Sequence, residues 1–130
     1  MMAETKAECV IQVCGACQLP AHEGTDRSPT DGERVLALCR DLVEEAGLAD
    51  RVAVRSYTCM GGCKRRCRVN FSAGDKWTWL VGDIDPQKDG PFLLDTLRTW
   101  IEAEQGFIPK PDRSKGLLAK GLGRVPPLDL

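Results

Sequence analysis

The apolar positions of this chain alternate between two periods. Cys9 to Val13 (Cys-Val-Ile-Gln-Val) is a short β-rich run and predicts a first strand. Thr30-Asp31-Gly32-Glu33 has the Thr-x-x-Glu form of a capping box, which satisfies orphan amides where a helix begins. Behind it Val35, Leu38, Cys39, Leu42, Val43 and Ala46 recur at helical spacing until Gly47, predicting a helix over 31–46. Val52 to Tyr57 predicts a second strand. Arg68–Ser72 and Lys76–Val81 predict a β-hairpin turning through Ala73-Gly74-Asp75, with Trp77 and Trp79 on one face and Thr78 and Leu80 on the other. Asp89-Gly90-Pro91 opens a second helix, since proline is tolerated in a first turn. Leu93, Leu94, Leu97, Trp100 and Ile101 form its apolar stripe, and Gly106 and Pro109 close it.

The resulting order is β-α-β-β-β-α. A strand, a helix and a second strand normally make a parallel pair through a crossover, whereas the hairpin is antiparallel. The expected fold is α/β: a thioredoxin-like, mixed four-stranded sheet with two main helices, one on each face. The organised domain is expected over 8–106. Residues 107–130 mix Pro, Gly, Lys and Arg without clear periodicity and are expected to form an irregular C-terminal tail. There is no internal repeat.

Composition narrows the class. At 130 residues and 42% hydrophobic content the chain is long and apolar enough for one domain with a real core. A formal net charge of −1 gives no global attraction to nucleic acid or membrane. No run approaches the ~20 apolar residues of a membrane span. Met1-Met2-Ala3-Glu4-Thr5-Lys6 has no basic stretch leading into an apolar core, so no signal peptide is expected and the chain is assigned to the cytoplasm. Seven cysteines is a high and odd number for that reducing compartment. It argues against a disulfide framework and for metal ligation or redox chemistry.

The cysteines sit where such chemistry can assemble. Cys14 and Cys17 follow the first strand, and Cys59 and Cys63 follow the second. If those strands are parallel, their C-terminal ends share one sheet edge and four thiols converge from two loops. A four-cysteine set suits zinc or an iron–sulfur cluster. Gly61 and Gly62, inside the second pair, allow backbone amides close to sulfur, which favours a cluster. Cys67 repeats the three-residue spacing after Cys63 and competes with Cys17 as a ligand, with a buried core position as its other reading. Cys39, on the apolar helix face, and Cys9, early in the first strand, read as small core hydrophobes.

Other candidates carry less. His22 would complete a zinc site of three cysteines and one histidine, although a lone loop histidine is more often solvated. Lys64, Arg65, Arg66 and Arg68 surround Cys67; they would temper the charge of an anionic centre or dock an acidic redox partner, or they form a solvated loop edge. Nucleic-acid binding is disfavoured because aromatics are not interleaved with these cations. Trp77, Trp79 and Trp100 read as core or interface, and an uncovered hairpin edge would support a homodimer. Asp83 and Asp85 read as turn residues, and no nucleophile–base pair is evident.

The thiol-bearing loop after the first strand, with Cys59-Met60-Gly61-Gly62-Cys63 after the second, resembles the thioredoxin-like [2Fe–2S] ferredoxins and a related small subunit of respiratory complex I. The chain resembles more closely a family of small predicted metal-binding proteins of unassigned function. These carry Cys-x-x-Cys near the start, Cys-x-x-x-Cys-x-x-x-Cys in mid-chain and then an aromatic strand. Here these are Cys14 to Cys17, Cys59 to Cys67 and Trp77-Thr78-Trp79, and the resemblance covers about residues 8–103. It implies a [2Fe–2S] cluster on Cys14, Cys17, Cys59 and Cys63 and an electron-carrier or redox accessory role. The company of cobalamin-synthesis genes implies work near cobalt insertion or corrin reduction. The first pair is spaced more tightly than in the ferredoxins, which leaves the fourth ligand open among Cys17, Cys67 and Cys9. Two other functions remain: a structural four-cysteine zinc module acting through protein contacts, and a Cys-x-x-Cys thiol–disulfide oxidoreductase. The second suffers if the long loop after Cys17 keeps the helix dipole away from Cys14.

Overall fold

Alternation along each strand decides which side of the sheet is covered. The computed structural model describes residues 9–22, 24–25, 28–58 and 66–127. Its regular elements are β1 (Cys9–Cys14), α1 (Asp31–Glu45), β2 (Val52–Tyr57), β3 (Val69–Ser72), β4 (Thr78–Val81), α2 (Gly90–Glu102), α3 (Lys115–Lys120) and β5 (Gly121–Val125). The sheet order is β2-β1-β3-β4-β5, with β1 and β2 parallel and the other pairs antiparallel. The α/β class, the mixed sheet, the parallel first pair and the hairpin are as the sequence predicts.

In register, Ile11 lies beside Phe71, Val13 beside Val69, Phe71 beside Trp79 and Val69 beside Val81, and all of these are buried. The opposite face mixes Val10 and Leu80 with Gln12, Asn70, Ser72 and Thr78. Its polar groups meet each other: Asn70 Nδ2 donates to Gln12 Oε1 at 3.4 Å, and the Ser72 and Thr78 hydroxyls are 3.1 Å apart.

Two expectations are corrected. The two main helices do not take one face each. Val35, Cys39 and Val43 of α1 and Leu93, Leu97 and Trp100 of α2 join one core, α1 and α2 touch, and Trp100 packs on Phe71 with ring centroids 6.1 Å apart. The physical reason is that the buried apolar side chains Ile11, Val13, Val69, Phe71, Trp79 and Val81 of the sheet share one face, so both helical stripes pack on it. Secondly, among the described residues the sheet has five strands and there are three α-helices, not four and two. The segment read as an irregular tail supplies α3, capped by Ser114 Oγ accepting from Leu117 N at 3.0 Å, and β5, which pairs with β4. β5 lies along β4, at the edge of the predicted hairpin.

Two buried indoles are satisfied, as buried tryptophans require. Trp79 Nε1 donates to Gly106 O at 2.6 Å and Trp100 Nε1 to Trp77 O at 2.7 Å. Gly106 has φ +72°, and a Cβ there would stand 2.7 Å from the Trp100 indole nitrogen, so only glycine fits. Among the described residues, no helix is long and apolar enough to cross a membrane.

Candidate metal–thiolate site

The Cys14–Cys17 turn is built as a continuation of the parallel ladder. Cys14, the last residue of β1, pairs with Tyr57. Gly15 N then donates to Tyr57 O at 2.7 Å and Ala16 N to Thr58 O at 3.2 Å. On the other flank Cys14 N donates to Arg68 O at 3.1 Å, which draws the entry to β3 alongside. The Cys14 and Cys17 sulfurs stand 3.1 Å apart with the Cys17 thiol donating. That is a thiol–thiol contact, since a disulfide would be about 2.05 Å. Cys14 is buried and Cys17 half-buried.

Cys67 joins them. It precedes β3, is fully buried, and has φ +54°, a left-handed conformation uncommon outside glycine. Its thiol is pushed up to about 12, chiefly by burial and then by the negative charge of Cys17, Asp31 and Cys14, with Arg66 opposing. Those named neighbours place Cys67 in the same electrostatic neighbourhood as the Cys14–Cys17 pair. Cys9 and Cys39 lie in the hydrophobic core, in keeping with the structural reading of both.

The N-terminus of α1 docks on this turn, against the expectation that the intervening loop would hold it away. Gly32 N donates to Cys17 O at 2.9 Å, and Thr30 Oγ1 donates to Gly15 O at 2.6 Å. Asp31 N donates to Gln18 Oε1 at 2.9 Å. The buried Asp31 carboxylate accepts from Leu19 N at 2.8 Å and meets His22 Nδ1 at 2.7 Å. A Cβ on Gly32 would come 2.8 Å from the Gly15 carbonyl group and closer still to Cys14 O, so glycine is what permits the approach. His22 is therefore no freely solvated histidine: its ring is about one-third exposed and held by Asp31. The sequence located the capping box; nothing in its pattern pointed to Asp31, Gly32 and Gln18 as the residues that fasten helix to turn.

Cys59, Cys63, Lys64 and Arg65 lie outside the described residues. The residues that flank that segment are both tied to the same turn. Thr58 accepts from Ala16, and Arg66 Nη1 donates to Gln18 O at 3.2 Å. Arg66 is further fixed through its carbonyl, which accepts from Asp83 N at 2.6 Å. Among the described residues no group of three or more His, Cys, Asp or Glu side chains is arranged to hold a metal ion.

No curated protein and no solved structure matches the chain. One family model, described as a protein of unknown function (DUF1636), matches residues 11–127. A match over that much of the sequence is decisive, and the chain belongs to the DUF1636 family.

Proposed function

We propose that this chain is an iron–sulfur protein in which Cys14, Cys17, Cys59 and Cys63 hold one [2Fe–2S] cluster, serving as an electron carrier or redox accessory protein. The carrying observation is convergence: two thiols 3.1 Å apart lie on a turn to which both flanks of segment 59–65 are hydrogen-bonded. The donor set fits. It is purely thiolate, and its first pair, Cys14 and Cys17, acts electrostatically on the buried Cys67. Two thiolates on one tetrahedral metal, with bonds of about 2.3 Å, stand about 3.8 Å apart, so the pair has less than an ångström to open. When bound, the cluster supplies one-electron chemistry.

The protein's own contribution is positional. The ladder bonds from Gly15 and Ala16, and the α1 bonds from Thr30 and Gly32, fix the backbone that carries Cys14 and Cys17. Burial of Cys14 limits solvent access from its side. Lys64, Arg65, Arg66 and Arg68 offer positive charge for an acidic redox partner, which makes encounter rate fall with salt. The β1-α1-β2 unit followed by the β3-β4 hairpin and α2 supports a thioredoxin-like core, to which α3 and β5 are additions. A cytoplasmic setting accords with the described cysteines being thiols. The link to cobalamin synthesis rests on the resemblance alone.

Anaerobically prepared protein should be red-brown, hold iron and sulfide in equal amounts, and give a rhombic EPR signal on reduction. Cys14→Ser, Cys59→Ser and Cys63→Ser should each lose the cluster, while Cys39→Ala keeps it. Comparing Cys17→Ser with Cys67→Ser identifies the fourth ligand. A colourless protein with stoichiometric zinc would replace this reading with the structural zinc module.

One observation favours a second reading, thiol–disulfide exchange: the α1 N-terminus docked on the Cys14–Cys17 turn is the setting that promotes a thiolate. Insulin reduction by metal-free protein, abolished by Cys14→Ser, would establish it.

A further inference from the structure

Residues 110–125 concentrate positive charge in a chain whose formal net charge is −1: Lys110, Arg113, Lys115, Lys120 and Arg124 stand against Asp112 alone. Lys120 is consumed structurally, pairing with Asp89 at 3.0 Å. The two arginines behave differently. Both guanidinium groups lie over the same aromatic rings. Arg113 is 5.3 Å from the Trp79 centroid and 5.8 Å from that of Phe107; Arg124 is 5.5 Å and 5.3 Å from the same two. Both also line one cavity of about 240 Å³, with Trp79, Leu117 and Leu122.

No carboxylate lines that cavity. Arg113 is held by its Nε, which donates to Ile108 O at 2.9 Å. The Arg124 guanidinium makes no hydrogen bond or ion pair among the described residues. A guanidinium held against aromatic rings still offers N–H donors, which match oxyanions bidentately. Two cations turned toward one cavity repel each other, and an anion between them relieves that repulsion. The volume is below the ~300–1,000 Å³ usual for drug-sized ligands, which fits a small headgroup and excludes a whole nucleotide.

We propose that this cavity binds a small oxyanion, either inorganic phosphate or the phosphoryl or carboxylate group of a small molecule, on the N–H edges of Arg113 and Arg124. The site involves none of the cysteines and stands whether or not the chain carries a cluster.

The test is calorimetric titration of the full chain at low ionic strength with inorganic phosphate and, separately, citrate, against chloride at matched ionic strength. Saturable one-site binding of either anion is expected, and the tighter of the two identifies the headgroup class. Arg124→Ala should weaken it about tenfold or more, Arg124→Lys by less because charge survives without the planar fork. Lys88→Ala, which removes an exposed positive charge elsewhere, should leave it unchanged. Should Arg124→Ala fail to fold, Arg124→Lys and the wild-type shift of the Trp79 indole N–H resonance on phosphate addition decide the matter. Failure of both anions to saturate at millimolar concentration overturns the proposal. So does equal weakening by Lys88→Ala, or binding restricted to nucleic acid or acidic peptides.

Discussion

Cysteine chemistry in this protein is set residue by residue through burial. Cys39 sits on the inner face of α1, and burial pushes its thiol from the ordinary 9.0 to about 12. In the unfolded chain the same thiol ionises near 9. The native state therefore retains a proton that the unfolded state loses as pH rises. The stabilisation is complete below pH 9 and is lost between 9 and 12, at roughly 1.4 kcal/mol per pH unit across that window. Urea titrations at a series of alkaline pH values should show that slope in the wild type and a shallower one in Cys39→Ala. Unchanged slopes would contradict the assignment. The helical spacing of Val35, Leu38, Cys39 and Leu42 made this burial legible in sequence. For Cys67 the sequence offered both a core position and a place beside the first thiol pair; that it is buried with Cys14, Cys17 and Asp31 as neighbours is decided by contacts with other segments.

At the scale of elements, the decisive event is the docking of α1 on the turn after β1. Its hydrogen bonds from Thr30 and Gly32 close a long loop back onto Gly15 and Cys17. Gly32→Ala puts a methyl group into the Cys14–Gly15 backbone, which cannot yield as a flexible side chain would. The expected cost is about 3 kcal/mol, at the upper end of over-packing effects. On the proposed reading, cluster content should drop even in the molecules that remain folded. Denaturant midpoints and iron content, read on the same samples, check both parts. Neither helix propensity nor the capping box announces this contact, since both are satisfied within α1 itself. The same limit explains the misplaced helix α2. Its stripe predicted burial, but the face it takes is the one where the sheet's large apolar side chains, Phe71 and Trp79 among them, gather.

For the whole molecule, the C-terminal segment matters more than its composition suggests. α3 is only six residues long with one buried side chain, Leu117, and β5 reads Gly-Leu-Gly-Arg-Val. Neither has a periodicity that stands alone. They order because β4 offers an unpaired edge and Trp79 and Phe107 offer faces for Arg113 and Arg124. Ending the chain at Asp112 should uncover Trp79 and remove the β4–β5 ladder. Re-exposing one tryptophan costs about 2–3 kcal/mol, which lowers Tm by about 10 °C. Scanning calorimetry, with a red shift of tryptophan emission, measures it. A truncated chain with wild-type Tm would show the segment to be dispensable.

The sequence by itself determined the strands and main helices through to α2, the parallel pairing of β1 with β2, and the convergence of the first thiol pair on the C-terminal edge of the sheet. Those follow from local period, capping chemistry and chain connectivity, which are one-dimensional facts. Only the tertiary structure decided that both main helices share one face, that His22 is held by Asp31, that the α1 N-terminus seats on Cys17, and that α3 and β5 complete the sheet. Each of these is a contact between segments distant in the chain. Its free energy comes from surfaces that do not exist until the fold brings them together.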